Sequence, residues 1–194
     1  MRKILTSTLL LCAFFSLSFL VPTAASATDN SKHMAVVAKE MMAGIHKATW
    51  IEEGKSSHLI YVFFDPNCPY CHRIYVNTRD LVKQNAIQIR WVPVGVLTAT
   101  SYGKAVTMLE SRDPLKAFYH DENNFSGENG GAADEALDGT DKTRNALKEN
   151  TKLLRLTGFD AVPSILFLTN DGQPYLIQGS PPAGKLKAIL KYVQ

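Results

Sequence analysis

The sequence predicts an α/β domain in which a β-α-β unit is followed by a helical insertion and then by a β-β-α unit. Two apolar runs with the composition of strands, His58–Phe64 and Ile87–Val94, flank a helical segment. Two shorter runs, Ile165–Leu168 and Tyr175–Gln178, are joined by an Asn-Asp-Gly turn. A chain of 194 residues is long enough to build one such domain around a full core.

The first predicted element of the domain is an N-terminal helix. Met34, Val37 and Met41 recur at helical spacing, so we expect an amphipathic helix over about residues 32–47. Its methionines are interpreted as core residues rather than as metal ligands. A short strand at Trp50-Ile51 is predicted to follow.

The central β-α-β unit is the clearest pattern in the chain. His58–Phe64 is almost continuously apolar, as expected of a strand that is covered on both faces. It ends at Asp65-Pro66, and a Cys-Pro-Tyr-Cys motif at residues 68–71 heads a helix that continues to Gln84. Because a helix connects this strand to the one at Ile87–Val94, the two strands are predicted to run parallel.

The helical insertion is predicted over about residues 98–157. Its helices are expected at 102–111, 113–119 and 141–157. A stretch rich in Asn, Gly and acidic residues, 121–138, is expected to be a surface loop. After the β-hairpin, the chain closes with a helix over about 182–193. This order of elements is that of the thioredoxin fold with an insertion, so the fold prediction does not depend on the cysteines alone.

The N-terminus has the layout of a secretory signal peptide, predicted over residues 1–27. Met1-Arg2-Lys3 precedes an apolar run from Ile4 to Val21, and Ala25-Ser26-Ala27 supplies an A-x-A cleavage site. The alternative is an uncut membrane anchor, since the run is close to spanning length. Cleavage would leave residues 28–194 as an exported thioredoxin-like domain and would remove Cys12.

Net charge argues against two classes of partner. The formal charge of +3 at pH 7 falls further when Arg2 and Lys3 leave with the signal peptide. A nearly neutral domain gives no electrostatic reason to expect nucleic acid or an anionic membrane as a partner.

Cys68 and Cys71 are the two cysteines of the predicted mature chain. A disulfide between them would close a very short loop, which removes little entropy from the unfolded chain. We therefore interpret the pair as a reversible redox centre rather than a structural disulfide. Pro69 suits the first position of a helix, so Cys68 is expected at the helix N-terminus, where free N–H groups favour a thiolate. We expect Cys68 to carry out the attack and Cys71 to resolve the mixed disulfide.

The residues around the two cysteines leave alternatives open. Tyr70 adds no positive charge between them, so the helix terminus is the expected source of acidification of Cys68. His72 lies four residues after Cys68 and would tune its thiolate, although an exposed helix histidine is the favoured interpretation. Asp65 is a candidate proton acceptor for Cys71, although a turn residue that caps the loop is favoured.

A metal site is the alternative of another class. Tetrahedral zinc usually takes four protein ligands, and the predicted mature chain has no second CxxC or spaced Cys/His pair. A copper site formed by Cys68, Cys71 and His72 is the remaining hypothesis of this kind. The favoured interpretation requires no metal and no other cofactor.

Residues 50–55 and 61–71, which end in the Cys-Pro-Tyr-Cys motif, resemble the catalytic domain of the DsbC/DsbG family of bacterial periplasmic disulfide isomerases. Asp65-Pro66 and the Pro-Tyr dipeptide place the resemblance on the DsbG side of that family. Further similar segments are Val94–Val96, Ser111–Pro114 and Gly158–Phe167. The resemblance covers the chain from about Met41 to the C-terminus.

The resemblance implies a protein of the Gram-negative periplasm that acts on disulfides or cysteine sulfenic acids of exported client proteins. It implies a membrane redox partner of the DsbD type. It also implies a cis peptide bond between Val162 and Pro163, facing the cysteines. From the residues alone, Pro163 is expected only at a strand start, because about 5–6% of X–Pro bonds are cis.

The sequence departs from the thioredoxin pattern in one way and from the DsbC/DsbG pattern in two. Thioredoxins carry a buried acid six residues before the first cysteine, and Val62 stands there in this chain. The family's N-terminal dimerisation domain has no counterpart, so a monomer is expected. Val162 stands where DsbC and DsbG carry threonine, and valine there resembles the oxidase DsbA. A DsbA-like oxidase with a DsbB-type partner is therefore the alternative within this class.

Overall fold

The computed structural model describes residues 25–127, 131 and 138–194. Most of the predicted signal peptide lies outside these residues and stays a prediction. None of the described helices is long and apolar enough to cross a membrane.

The described chain contains six α-helices and five β-strands. The helices are α1 Ala25–Gly44, α2 Pro69–Lys83, α3 Ser101–Glu110, α4 Pro114–Asn123, α5 Asp141–Leu154 and α6 Ala183–Ile189. The strands are β1 Ile51–Glu53, β2 Leu59–Phe64, β3 Gln88–Pro93, β4 Ser164–Leu168 and β5 Pro174–Gln178. Short 3₁₀ turns at Ile45–Lys47, Arg155–Thr157 and Leu190–Tyr192 extend α1, α5 and α6.

The strands form one sheet in the order β1-β3-β2-β4-β5. β2 pairs with β3 in parallel, which confirms the predicted β-α-β unit. The β1-β3, β2-β4 and β4-β5 pairs are antiparallel. β2 is the central strand, and the Cys-Pro-Tyr-Cys motif follows its carboxyl end. The motif therefore lies at the middle of that edge of the sheet.

The two faces of β2 pack into two separate parts of the core. Ile60, Val62 and Phe64 face the side covered by α2, α4 and α6. Tyr61 and Phe63 face the side that contains α1 and the end of α5. Successive side chains of a strand point to opposite faces, so an unbroken apolar run is needed here. The sequence interpretation of a strand covered on both sides is confirmed.

The predicted surface loop over 121–138 is wrong at its beginning. α4 continues to Asn123, and the Asp121 and Glu122 side chains are buried. Acidic residues next to a run of Asn and Gly suggested solvent exposure. Glu122 instead contacts His72 of α2, and Gly131 lies against Asp121. Residues 128–130 and 132–137 of the predicted loop lie outside the described residues.

Candidate active site

Cys68 is the N-cap residue of α2, and Pro69 occupies the first turn of that helix. The backbone of Cys68 is extended, with φ −90° and ψ 111°, and its side chain accepts a hydrogen bond from the first turn of the helix. The N–H of Cys71 donates to the Cys68 Sγ over 3.2 Å. The sulfur therefore takes the place that the side-chain oxygen of Ser, Thr or Asp usually fills at an N-cap.

The hydrogen bonds around Cys68 favour its thiolate. The Cys71 side chain, followed by the N–H groups of Cys71 and Tyr70, lowers the pKa of Cys68, although burial acts in the opposite direction. Cys68 as a whole residue is only 2% exposed. Its sulfur thus lies almost covered at the positive end of a helix, as expected for a reactive thiol.

The environment of Cys71 favours the neutral thiol over the thiolate. Cys71 is fully buried, and burial, followed by its hydrogen bond to Cys68, raises its pKa well above the ordinary value. Both cysteines are free thiols. The two sulfurs are therefore chemically unequal: one is prepared to ionise and the other resists ionisation.

A cis peptide bond joins Val162 to Pro163, as the family resemblance implies. The carbonyl oxygen of Val162 lies 3.7 Å from the Cys68 Sγ and accepts a hydrogen bond from the thiol. The Pro163 carbonyl is paired with the N–H of Gly179 over 2.8 Å, which ties this segment to the end of β5. The segment before β4 is thus held against the first cysteine.

Asp65 is a structural cap of the loop that leads to Cys68. Its Oδ1 accepts from the N–H of Asn67 at 2.9 Å and from the Ser101 hydroxyl at 2.7 Å. Its Oδ2 accepts from the N–H groups of Val96 and Leu97 at 2.8 and 3.0 Å. A carboxylate has about four acceptor positions, and all of them are occupied. This geometry matches the favoured interpretation of Asp65 as a capping residue.

Asn67 and Lys104 were missed from the sequence. The Asn67 amide donates to the hydroxyl groups of Thr98, Thr100 and Ser101 at 2.7, 2.8 and 3.1 Å. The Lys104 Nζ, in a residue that is 7% exposed, donates to the Asn67 Oδ1 over 2.8 Å. The sequence around Lys104 gave no indication that its Nζ would be buried against Asn67. The network fixes α3 to the residue that precedes Cys68.

His72 is not the exposed helix residue that the sequence favoured. Its Nδ1 lies 2.7 Å from the Glu122 Oε2, and its side chain is only 28% exposed. The ring is stacked on Phe125, with centroids 4.4 Å apart and an angle of 8° between the planes. The sequence interpretation failed because Glu122 and Phe125 are far from His72 in the chain.

Tyr70 is 55% exposed, and the guanidinium of Arg73 lies 4.9 Å from its ring centroid. The dipeptide between the cysteines therefore presents an aromatic ring and a nearby cation to the solvent. Within 25–127, 131 and 138–194, no three His, Cys, Asp or Glu side chains are grouped so that they could hold a metal ion.

The chain is similar in sequence to known proteins that are named thiol:disulfide interchange proteins. Over 162 residues, the chain is 33% identical to the thiol:disulfide interchange protein DsbG of Pseudomonas aeruginosa. It is 28% identical to the protein of the same name from Escherichia coli over 160 residues. Each alignment covers 80% of this chain but only 60% and 62% of the respective relative.

Among solved structures, a linker-deletion mutant of Proteus mirabilis ScsC has a TM-score of 0.67 and 18% identity. That alignment covers 86% of this chain and 87% of ScsC. Similarity at this level of identity concerns the fold alone. Residues 46–194 match the family described as thioredoxin-like domain. These residues include the whole described sheet and both cysteines, and the chain belongs to the thioredoxin-like domain family.

Proposed function

We propose that this chain is a periplasmic thiol:disulfide oxidoreductase that reduces or exchanges disulfides, or reduces sulfenic acids, on exported proteins. Cys68 is the attacking thiol and Cys71 the resolving thiol. The observation that carries the proposal is the inequality of the two sulfurs. One accepts an N–H at a helix terminus, whereas the other is buried beneath it. The similarity to two DsbG proteins supports the same activity.

The exchange proceeds in two steps that balance in atoms and electrons. The Cys68 thiolate attacks one sulfur of a client disulfide, a mixed disulfide forms, and the first client thiolate leaves and takes up a proton. Cys71 then loses its proton and attacks the Cys68 Sγ, which releases the second client thiol. The client disulfide gains two electrons, and the Cys68–Cys71 pair is oxidised by two electrons.

The segment at Val162 and Pro163 and the dipeptide at Pro69 and Tyr70 form the proposed client-binding surface. The Val162 carbonyl lies beside the Cys68 sulfur and would be released when that thiol becomes a thiolate. A main-chain N–H of an extended client segment would then be a suitable donor to it. Because Cys68 is almost covered, a client sulfur must displace neighbouring side chains before the exchange.

The compartment and the partners belong to the proposal as well. A cleaved signal peptide would deliver the domain to the periplasm, and a DsbD-type membrane reductase would return the oxidised pair to the dithiol. We propose that the protein works as a monomer. The expected native mass is therefore that of one mature chain.

Val162 supports a second candidate, a DsbA-like oxidase that passes its disulfide to clients. The two candidates differ in the direction of electron flow. Thiol trapping in intact cells separates them, because a reductase rests largely as the dithiol, whereas an oxidase recharged by a DsbB-type partner rests as the disulfide.

The proposed activity is tested by equilibrating the purified protein with reduced and oxidised glutathione. We expect a reversible two-electron couple in the wild type. Cys71→Ser is expected to stop at a mixed disulfide with glutathione, visible as a mass increase, and Cys68→Ser is expected to form none. A wild type without a reversible couple would contradict the proposal, as would a Cys68→Ser variant that still forms the mixed disulfide.

A further inference from the structure

The two cysteines alone do not account for how Cys71 loses its proton in the resolving step. Cys71 must lose a proton to attack, yet it is fully buried and its pKa is raised by that burial. Direct exchange of this proton with bulk water is therefore hindered. This step belongs to the proposed function, and it requires a group that receives the proton of Cys71.

The surface of α2 that contains Cys71 faces α4. Cys71 and Tyr75 lie one helical turn apart, and the Tyr75 ring packs against Phe118 of α4 with centroids 5.6 Å apart. Glu122 lies one turn beyond Phe118 on α4, and its carboxylate contacts His72, the residue after Cys71. Residues four apart in a helix share a face, so Phe118 and Glu122 both approach this part of α2.

Glu122 is buried, whereas His72 reaches the surface. The Glu122 side chain is 2% exposed and the His72 side chain is 28% exposed, and their atoms are 2.7 Å apart. An imidazole has two nitrogens and can take up a proton at one while it releases another. Glu122 is close enough to Cys71 for its charge to contribute to the raised pKa of that thiol. The pair therefore links this buried carboxylate to the solvent.

We propose that Glu122 accepts the proton of Cys71 during the resolving step and that His72 positions Glu122 and passes the proton to water. The Cys71 thiol gives its proton to the Glu122 carboxylate, and the thiolate attacks the Cys68 Sγ. The Cys68–Cys71 bond forms as the bond from Cys68 to the client sulfur breaks. The released client thiolate takes a proton from water.

Two other carboxylates near the helix are poor acceptors. Asp65 already accepts four hydrogen bonds, three of them from backbone N–H groups. Glu53 accepts from Arg79, Trp91 and Tyr119. Burial alone would raise the pKa of Glu53, but these hydrogen bonds and the Arg79 charge hold it below its usual value. Asp65 therefore has no free acceptor position, and Glu53 is held in its charged form.

In contrast to Glu53, Glu122 has surroundings whose net effect is to raise its pKa. Burial raises the pKa of Glu122, and the hydrogen bond from His72 only partly offsets this. An acceptor whose pKa lies closer to neutral than that of an ordinary carboxyl is better matched to general base catalysis. The ionisable groups that interact electrostatically with Glu122 are Cys71, His72, Tyr75 and Arg79 of α2 and Glu53 of β1. Tyr119 and Asp121 precede it in α4.

The two steps can be followed separately with dithiobis(nitrobenzoic acid). Attack by Cys68 releases one thionitrobenzoate, and resolution by Cys71 releases a second one from the mixed disulfide. Stopped-flow absorbance over a pH series gives the rate of each phase. In the wild type we expect the rate of the second phase to level off above the pKa of Glu122, because the carboxylate then takes the proton.

Glu122→Gln keeps the size of the side chain and removes the acceptor. We expect its second phase to be about 10²-fold slower near neutral pH, the lower end of the effect of a general base. Its rate should keep rising with pH without the plateau. Glu122→Asp retains a carboxylate and should keep the plateau. Tyr75→Phe, a change on the same face of α2 that leaves Glu122 in place, should leave both phases within about twofold of wild type.

His72→Gln tests the same idea without altering the carboxylate. His72 favours the charged form of Glu122, so its loss raises the pKa of Glu122 and should move the plateau of the second phase to higher pH. This result does not depend on whether the Glu122→Gln variant folds. A profile that stays in place in His72→Gln, or an unchanged second phase in folded Glu122→Gln, overturns the inference while the proposed function stands. A wild type that releases only one thionitrobenzoate would instead refute the proposed function.

Discussion

The backbone N–H of Cys71 points at the Sγ of Cys68 over 3.2 Å, so the resolving residue helps to ionise the attacking one. The Cys71 side chain makes the largest contribution to the lowered pKa of Cys68. The side-chain hydrogen bond between the two cysteines also raises the pKa of Cys71, after the larger effect of burial. Stabilising one thiolate therefore disfavours the other, and this keeps the order of the two attacks fixed.

This coupling predicts a difference between two substitutions of Cys71. Serine retains a hydroxyl that can donate to the Cys68 thiolate, whereas alanine removes the donor. We expect Cys68 to have a higher pKa in Cys71→Ala than in Cys71→Ser, and a higher pKa in Cys71→Ala than in the wild type. The measurement is the pH dependence of alkylation by iodoacetamide, because only the thiolate reacts.

A matched experiment uses Cys68→Ser, which leaves Cys71 as the thiol that can be alkylated. Burial raises the pKa of Cys71, so its alkylation should be slow at pH 8 and should require partial opening of the structure. Equal alkylation rates for Cys68 and Cys71 in their single-cysteine variants would contradict the proposed division of roles.

The sequence was sufficient for the parts of the site that local rules determine. An apolar strand, a turn at Asp65-Pro66 and Pro69 at the first helical position together locate Cys68 at a helix N-terminus. The His72–Glu122 contact joins positions 50 residues apart, and the Lys104–Asn67 contact joins positions 37 apart. Such contacts depend on how α3 and α4 pack, which no periodicity in the sequence specifies.

Asp65→Asn should weaken the loop before Cys68. An amide nitrogen replaces one acceptor oxygen and would face two hydrogen-bond donors, each of which costs about 1–3 kcal/mol when it is left unpaired in a buried place. We expect a loss of about 2–6 kcal/mol in the free energy of unfolding, measured by urea denaturation.

The same variant should change the reactivity of Cys68. The hydrogen bond from Cys71 lowers the pKa of Cys68, and the negative charge of Asp65 opposes it. Removing that charge should lower the pKa of Cys68 further in the folded variant. A pKa that rises in Asp65→Asn, measured by alkylation below the urea transition, would show that loop distortion outweighs the loss of charge.

Glu53→Gln should be strongly destabilising. The buried Glu53 carboxylate accepts from the Arg79 guanidinium at 2.7 Å, from the Trp91 indole at 2.8 Å and from the Tyr119 hydroxyl at 2.6 Å. Breaking a buried ion pair by removing one partner costs about 3–5 kcal/mol. Because the Arg79 side chain is 29% exposed, we expect a cost near the lower end of this range. Glu52→Gln is the control: the Glu52 side chain is 51% exposed beside Arg90, so its loss should cost less than about 1 kcal/mol.

The contribution of Glu53 should also depend on pH. Despite burial, hydrogen bonds from Arg79 and Tyr119 hold the pKa of Glu53 below its ordinary value, so the folded state favours the carboxylate. The stabilisation is therefore complete above the unfolded pKa of about 4.3 and is lost as the pH falls through the folded pKa. The difference in stability between wild type and Glu53→Gln should shrink in acid, and a difference that grows there would contradict this account.

Gly95 lies where β3 turns toward α3, and a methyl group there has no room. An added Cβ would lie 2.4 Å from the Tyr102 Cα and 2.8 Å from its backbone nitrogen, so the first turn of α3 would have to move. That turn contains Ser101, and Lys104 follows it, so the displacement would reach the hydrogen bonds that hold Asp65 and Asn67. Gly95→Ala is expected to cost about 1–3 kcal/mol.

Gly184→Ala is the matched control, because no atom lies within 4 Å of its added Cβ, and alanine should stabilise α6 by up to about 1 kcal/mol. Urea denaturation gives both values, and alkylation of Cys68 should change in Gly95→Ala alone. If the two alanine variants were equally stable, the close approach of α3 to Gly95 would not be what holds the loop in place.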